Sequence, residues 1–225
     1  MMRIVYILSI VLLVAWCSRL EPISVWSLDQ YVDTGTNYLD MRWQNLSSIP
    51  DVCRWLSDSY HDTLEGIDFS NNAIEKLSFS DLDCLSSLQE IDLSYNQITT
   101  VREIQPIATL TSLFLHQNAI KDISWLSVLI WLRTLNLAYN DIMDVSPLVN
   151  LSSLIDLQLQ HNNIVDIESL SSLVWLQSLK LEFNQLDDEQ SLYFQPLLRL
   201  RFLSVGENLM DQSTIDAWQS TINWQ

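Results

Sequence analysis

Apolar residues recur along the chain in an eleven-residue signature, Leu-x-x-Leu-x-Leu-x-x-Asn-x-Ile, at intervals of 22 or 24 residues. The signature begins at Leu64, Leu88, Leu110, Leu132, Leu154, Leu176 and Leu200. A weaker eighth copy begins at Thr36. Because the spacing is nearly constant, we interpret each copy as one coil that buries its apolar face against its neighbours.

The spacing of apolar residues inside one copy predicts the elements of the coil. Positions four and six alternate with polar residues, which indicates a short strand with one face inward. Later apolar residues such as Val145, Leu148 and Leu151 recur every third residue, a period typical of a 3₁₀ return limb. The predicted fold class is therefore an α/β solenoid with a curved parallel sheet on its concave side and 3₁₀ or short helical segments on its convex side. The 24-residue copies have room for an extra helical turn at residues 80–85 and 189–194.

The ninth position of the signature is asparagine in all seven clear copies. Its amide both donates and accepts hydrogen bonds, so it can satisfy backbone groups at a sharp bend. We predict a structural ladder of inward side chains, formed by Asn72, Asn96, Asn118, Asn140, Asn162, Asn184 and Asn208.

The pattern divides the chain into four regions: a signal peptide (1–17), an N-terminal cap with the degenerate first repeat (18–63), the clear repeats (64–208) and a C-terminal helical cap (209–225). The apolar run from Ile4 to Trp16 is typical of an export signal. Two readings stay open for Cys17: it is the last residue before cleavage, or the lipid-bearing first residue of a bacterial lipoprotein. Neither leaves a transmembrane segment after cleavage. Ile215, Trp218 and Ile222 recur at helical spacing, which predicts the capping helix.

Composition excludes several functions. The chain has 28 acidic and 11 basic residues and a formal charge of −17, which opposes binding of nucleic acid. Its 3 glycines cannot form a phosphate-binding loop, no ligand spacing for a metal is present, and we expect no cofactor. An open sheet offers no water-restricted pocket for a catalytic triad, so we expect no enzyme activity.

Cys53 and Cys84 form an even pair after the leader. A disulfide and two separate buried thiols both fit their positions.

Positions three, five, seven and eight of the signature are predicted to point out of the concave sheet, where a ligand would bind. The predicted anchors for a protein partner are Tyr95, Phe114, Tyr139, His161 and Phe183. Asp68 and Asp92 at position five, next to Asp40, are expected to steer a basic partner towards this face. A plain solvated face and, less favoured, a calcium site are the alternatives for these three aspartates. A second acidic series is assigned to capping the return limbs, and it comprises Asp122, Asp144, Asp166 and Asp188.

The repeat matches the leucine-rich repeat pattern, and the segment from Asp144 to Leu154 resembles the repeat unit of internalin-type bacterial surface proteins. The resemblance implies a secreted or cell-envelope protein that binds a partner without catalysis. We predict a non-catalytic module, monomeric on its own, that recognises a protein through its concave face. A structural spacer without a dedicated ligand and a carbohydrate-binding surface protein remain the alternatives.

Overall fold

The fold is a stack of repeated coils, described by a computed structural model over residues 27–102 and 106–222. Within these ranges each eleven-residue signature occupies one coil, and the coils are joined edge to edge through a nine-stranded sheet. The predicted solenoid fold class is confirmed. The export signal, Cys17 and Trp224 lie outside the described residues.

Short strands form one side of the stack. In the described residues they are β1 (Val32–Asp33), β2 (Tyr38–Asp40), β3 (Gly66–Asp68), β4 (Lys76–Ser78), β5 (Glu90–Asp92), β6 (Thr100–Arg102), β7 (Ser112–Phe114), β8 (Thr134–Asn136), β9 (Asp156–Gln158), β10 (Ser178–Lys180) and β11 (Phe202–Ser204). The main sheet has the order β1-β2-β3-β5-β7-β8-β9-β10-β11, and its strands are parallel except for β1. Equivalent repeat positions are therefore in register along the whole sheet.

Helical turns form most of the other side. The 3₁₀ turns are η1 (Asp29–Tyr31), η2 (Ser80–Leu82), η3 (Ser124–Val128), η4 (Ser146–Asn150), η5 (Glu168–Ser172) and η6 (Asp188–Phe194), and the α-helices are α1 (Val52–Trp55), α2 (Asp58–His61) and α3 (Gln212–Ile222). A 3₁₀ turn rises about 2.0 Å per residue, so it returns the chain within a 22-residue coil where a full helix has no room. Of the two longer copies predicted to hold an extra helical turn, one has the seven-residue η6, longer than the five-residue turn η4 of a 22-residue coil, whereas the other has only the three-residue η2.

Each coil contributes the same apolar positions to a continuous core. In the coil that begins at Leu132, the side chains of Leu135, Leu137, Ile142 and Leu148 are all fully buried. Burying one such side chain contributes about 1.5–3 kcal/mol, and the stack repeats this contribution from coil to coil.

The seven ninth-position asparagines point inward and bond adjacent coils to each other. Asn140 accepts the backbone N–H of Ile120 at 3.0 Å and donates to the carbonyl oxygens of Leu115 and Leu137, both at 3.0 Å. Leu115 and Ile120 belong to the preceding coil. The same three-way pattern recurs at Asn72, Asn96, Asn118, Asn162, Asn184 and Asn208.

Different elements cover the two ends of the stack. At the first end β1 pairs antiparallel with β2, so the outermost strand reverses direction in a tight hairpin. At the other end α3 packs on β11 and η6. Its Ile215 is buried, and its Trp218 meets Phe194 edge to face with ring centroids 5.6 Å apart. These caps shield apolar end surfaces that a bare repeat would expose.

One feature on the convex side of the first coils was not predicted. On the convex side, β4 and β6 form a separate two-stranded parallel sheet. At the equivalent point, later coils have an Asp cap and a 3₁₀ turn. This coil instead has three β-branched residues, Thr99, Thr100 and Val101, which favour extended backbone.

The structure joins Cys53 on α1 to Cys84, two residues after η2, in a disulfide with Cα atoms 5.6 Å apart. It therefore fastens the first return limb to the next one.

Replacement of Asn140 by alanine is expected to lower the free energy of unfolding by about 1–3 kcal/mol, the cost of one unsatisfied buried group. The substitution leaves the N–H of Ile120 without its acceptor, whereas the carbonyl oxygens of Leu115 and Leu137 each keep a bond from Asn118 or Asn162. Urea unfolding measures the loss. Asp141→Ala, at the exposed neighbouring residue, is the control and should stay within about 0.5 kcal/mol of wild type. Equal stability of the two variants would contradict the structural role of the asparagine.

Candidate partner-binding face

The open face of the main sheet displays the predicted binding residues. We call it the sheet face and define it by repeat positions three, five and eight, together with those position-seven side chains that are not buried. Strand register aligns equivalent positions of neighbouring coils, for example Asp92 with Phe114 and Phe114 with Asn136. Each position therefore forms a column of side chains about 4.8 Å apart.

Position eight adopts left-handed backbone conformation in every coil, although none of its residues is glycine. The φ angles lie between 54° and 60° at Trp43, Asn71, Tyr95, Gln117, Tyr139, His161, Phe183 and Glu207. This conformation is uncommon for residues other than glycine. It turns the chain so that position eight faces outward and the next residue, asparagine, faces inward. In the sequence, the alternation of apolar and polar residues is interrupted at positions seven to nine, and this interruption indicates the bend.

Three of the five predicted anchors form one continuous ring stack. Tyr139 and His161 lie 4.1 Å apart between ring centroids with an interplanar angle of 14°, and His161 and Phe183 lie 4.1 Å apart at 10°. The rings come from successive coils, so the coil spacing itself sets their separation. Such pairs contribute about 0.5–1.5 kcal/mol each beyond their buried area. Tyr139 and Phe183 remain 43% and 47% exposed, so the stack is a preformed aromatic surface.

The other two anchors lie nearer the N-terminal end. Tyr95 is exposed and meets His116 edge to face, with ring centroids 5.2 Å apart at 80°. Phe114 is half-buried on β7. Gln117 occupies position eight between Tyr95 and Tyr139 and interrupts the aromatic column. Burial lowers the pKa of His116, which keeps its ring neutral near pH 7.

The acidic column at position five has a local structural role as well as a charge. One carboxylate oxygen of Asp68 accepts the N–H of Ser70 at 2.8 Å, and Asp92 accepts that of Ser94 at 2.8 Å. Asn136 makes the same contact in a later coil, with the N–H of Ala138 at 3.1 Å. The side chain at position five therefore closes a turn that leads into the bend at position eight.

Arg42 partly neutralises the beginning of this column. It forms two hydrogen bonds with Asp40 and lies 3.3 Å from Asp68. The hydrogen bonds from Arg42 hold the pKa of Asp40 below its usual range. Burial raises the pKa of Asp68, and the nearby carboxylate of Asp92 adds to the effect. The two aspartates predicted to steer a partner thus differ, since only Asp68 contacts a cation.

A tyrosine covers the first strands of the sheet face. Tyr38 donates a hydrogen bond to Glu90 at 2.8 Å, across the strand that lies between them. Its ring lies on Gly66, where an added Cβ would come within 2.0 Å of the ring. Burial and the bond to Glu90 raise the pKa of Tyr38 well above its ordinary value. A glycine is thus required at position three of this coil because a ring occupies the space of a side chain.

One of the predicted side-chain directions is wrong. Position seven does not point outward throughout, because Ser70, Ser94 and Ala138 are buried where the backbone already turns.

In the second acidic series, Asp122, Asp144 and Asp166 accept the N–H two residues later, each at 2.8 Å.

The fourth member of that series behaves differently. Asp187 caps η6 by accepting the N–H of Glu189 at 3.1 Å, and Asp188 instead accepts the N–H of Asp211 at 2.9 Å. Counted from the first residue of the coil, the longer 3₁₀ turn η6 starts two residues earlier than the turns of the 22-residue coils, which shifts the cap to Asp187.

Several polar atoms near the ring stack have no hydrogen-bond partner among the described residues. They are His116 Nδ1, Asp156 Oδ1, Gln160 Oε1 and Glu182 Oε2. The last three atoms are hydrogen-bond acceptors, and they lie in the two coils that carry His161 and Phe183. Shielded acceptors without donors are costly, so this part of the sheet face favours a ligand that brings N–H groups.

Within the described ranges, no group of three or more His, Cys, Asp or Glu side chains is arranged to hold a metal ion. Across the same residues, no helix has the length and apolar character needed to cross a bilayer.

Comparisons with known proteins agree with this architecture. A family model described as "Leucine Rich repeats (2 copies)" matches residues 62–106, and one described as "Leucine Rich repeat" matches residues 128–145. A search of curated proteins finds no match.

Solved structures give closer parallels. An internalin of Listeria monocytogenes, inlF, is 29% identical with a TM-score of 0.63, and the match covers 78% of this chain and 49% of that one. Internalin C2 of the same species is 26% identical with a TM-score of 0.55, covering 76% and 81%. A leucine-rich repeat protein of Leptospira interrogans shares the fold at 19% identity, with a TM-score of 0.62 and coverage of 78% and 50%. The chain has a leucine-rich repeat fold, resembles internalins and spans about half the length of inlF.

Replacement of Asp68 by asparagine is expected to leave the free energy of unfolding equal to or above that of wild type at pH 7. Asparagine can still accept the Ser70 N–H, as Asn136 does in its own coil, and it removes a charge that burial disfavours. The lost contact with Arg42, whose side chain is half-exposed, contributes little. Asp68→Ala, which also removes the acceptor, should cost about 1 kcal/mol.

The pH dependence has a defined sign. The folded pKa of Asp68 lies above its ordinary value of 3.8, so wild type loses stability as the pH rises through that interval. Any advantage of Asp68→Asn should therefore be present at pH 7 and disappear below about pH 3.8. Urea titrations at both pH values measure it. An asparagine variant as unstable as the alanine variant would show that the charge itself is required.

Proposed function

We propose that the protein is an exported, non-catalytic binding module that recognises a protein partner through the sheet face. The observation that supports this most directly is the ring stack of Tyr139, His161 and Phe183, which lies beside shielded acceptors without donors. Leucine-rich repeat proteins commonly bind other proteins, and the fold gives this one a broad open surface.

The chemistry of the sheet face fits a protein better than a small molecule. Aromatic side chains dominate binding hot spots because they supply large contact area at low entropic cost. The stack is already ordered in the free protein, so binding would not have to immobilise these rings. The partner would add donors to Gln160 and Glu182 and cover the exposed edges of Tyr139 and Phe183.

The charge distribution favours a basic partner. Asp68 and Asp92 lie in the N-terminal half of the sheet face, and the chain carries −17 overall. Complementary charge raises the rate of association more than the final affinity. In this proposal the acidic half attracts the partner and the aromatic half holds it.

Export is part of the proposal. The disulfide between Cys53 and Cys84 is typical of an oxidising compartment, and the apolar run after Arg3 is typical of a secretory leader. Secretion or attachment to the cell envelope, with or without a lipid on Cys17, is consistent with both features.

A carbohydrate ligand is less favoured by the ring geometry. Sugars stack on the faces of aromatic rings, and both faces of His161 are covered by Tyr139 and Phe183. Only the outer faces of the two end rings would be free for a sugar.

The double variant Tyr139→Ala/Phe183→Ala is expected to bind the partner at least tenfold more weakly, because each hot-spot aromatic contributes about 2 kcal/mol or more. Wild-type and variant proteins serve as baits in the host's own extracellular extract, and bound proteins are quantified by mass spectrometry. Trp175→Ala, an exposed tryptophan away from the sheet face, is the matched control and should retain the partner. Equal capture by the double variant would remove the sheet face from recognition.

The association rate with the captured partner is expected to fall as the salt concentration rises, because the Debye length shortens from about 10 Å at 0.1 M to about 3 Å at 1 M. Asp68→Asn/Asp92→Asn should slow association at low salt while preserving the turn contacts that asparagine can make. Asp141→Asn, an exposed acid outside the column, is the control. A rate independent of salt would exclude steering by these carboxylates.

A further inference from the structure

One edge of the main sheet lacks acidic residues along its last five strands, β7 to β11. The parallel strands begin at this edge, and we call it the strand-start edge: it comprises residues 106–111, 128–133, 150–155, 172–177 and 196–201. These segments contain no Asp or Glu, although the chain has 28. The absence of acidic residues is particular to this edge, because the opposite edge of the same coils carries the capping aspartates Asp122, Asp144 and Asp166.

Backbone hydrogen bonds place the segments of the strand-start edge side by side. Arg133 donates to the carbonyl of Thr111, and Ile155 donates to that of Arg133, both at 2.8 Å. Gln177 then donates to Ile155 and Arg201 to Gln177, again at 2.8 Å. Residues far apart in the sequence thus form one continuous strip along the stack.

The strip exposes large apolar side chains. Trp131 is 54% exposed, Trp175 49% and Leu198 72%. The remaining exposed members are Val128, Ile130 and Val174. Scattered exposed apolar residues need no explanation, but a contiguous set on one edge marks an interaction site.

Three arginines lie in the same strip. Within the described residues, Arg133, Arg199 and Arg201 form no ion pair within 4.0 Å. The guanidinium of Arg199 lies 3.8 Å from the ring centroid of Trp175. Arg199 and Arg201, with Gln177 and Leu198, also line a recess of about 190 Å³. No carboxylate in the part of the chain that the structure describes pairs with these three cations, so they are available to an anionic ligand.

We propose that the strand-start edge docks on an anionic lipid surface. Tryptophan is favoured at the boundary between headgroups and acyl chains, where Leu198 and the neighbouring aliphatic side chains would be buried. The arginines would contact lipid phosphates, one of them in the recess beside Gln177. The acidic caps on the opposite edge would point away from the surface.

Two other occupants fit the strip less well. A second copy of this chain, docked symmetrically, would bring arginine against arginine without any carboxylate on the strip. A peptide would need a groove, whereas the strip projects its side chains and offers one small recess. A lipid surface requires only projecting apolar groups and cations, which the strip provides.

The test measures sedimentation of the full chain with vesicles of phosphatidylcholine alone or with about 30% phosphatidylglycerol, at about 0.1 M salt. Two double variants remove parts of the strip: Trp131→Ala/Trp175→Ala and Arg199→Gln/Arg201→Gln. Each is expected to partition into the anionic vesicles at least tenfold more weakly than wild type, since one arginine near such a surface contributes about fivefold. The arginine variant should match wild type on phosphatidylcholine alone.

The apolar N-terminal run is common to all variants, so the comparison with wild type isolates the strip. A second readout is quenching of tryptophan fluorescence by brominated anionic lipid, which should be weaker in Trp131→Ala/Trp175→Ala. Trp43→Ala and Arg54→Gln are matched controls, because Trp43 is exposed elsewhere and Arg54 lies over Trp55 at 4.9 Å. Partitioning of either double variant like wild type, or no preference of wild type for anionic vesicles, would overturn the proposal.

Discussion

The inward asparagine at the end of each strand is the contact on which the rest of the structure depends. At that point the chain leaves the sheet, and its backbone groups cannot be paired by neighbouring strands. In the coil of Asn140, one amide satisfies an N–H and a carbonyl of the preceding coil and a carbonyl of its own. Because buried backbone groups must be paired, this single side chain fixes the separation and register of adjacent coils.

The same bend creates the candidate binding face. Turning asparagine inward requires left-handed backbone at the residue before it, and that residue then points outward. Because this residue does not pack in the core, its side chain varies from coil to coil, from Trp43 to Glu207, while its backbone conformation stays the same. The coil spacing brings consecutive outward rings to 4.1 Å, close enough to stack. The repeat thus supplies the geometry of the site, and only the choice of outward side chains is specific to this protein.

The sequence predicted whatever the repeat itself determines: the parallel sheet, the 3₁₀ return limbs and the positions of the columns. It did not predict features that depend on contacts outside the repeat. The hairpin of β1 with β2 depends on end shielding, and the pairing of β4 with β6 depends on local β-branched residues rather than on the signature. The ring contacts of His116 and the orphan acceptors at Gln160 and Glu182 arise from side-chain conformations that periodicity does not encode.

The predicted cap at Asp188 was wrong for a related reason. Capping depends on where a turn begins, and the 24-residue coil of Leu176 begins its turn two residues earlier, so Asp187 takes the role. The repeat register therefore predicts the same role for equivalent positions only where the coils have equal length. That limit does not affect the ring stack, because Tyr139, His161 and Phe183 lie in successive coils that begin 22 residues apart.

The three surfaces of each coil carry different chemistry because each uses a different part of the repeat. Position eight places aromatic rings on the sheet face, the capping position places aspartates at one edge, and three of the segments that precede β7 to β11 place tryptophan or arginine at the other. A surface built from one position can change without disturbing the others, since the core uses only the apolar positions between them. If the strand-start edge rests on lipid, the sheet face stands roughly at right angles to the membrane and remains open. Binding of a protein partner and attachment to a surface are therefore compatible on one solenoid.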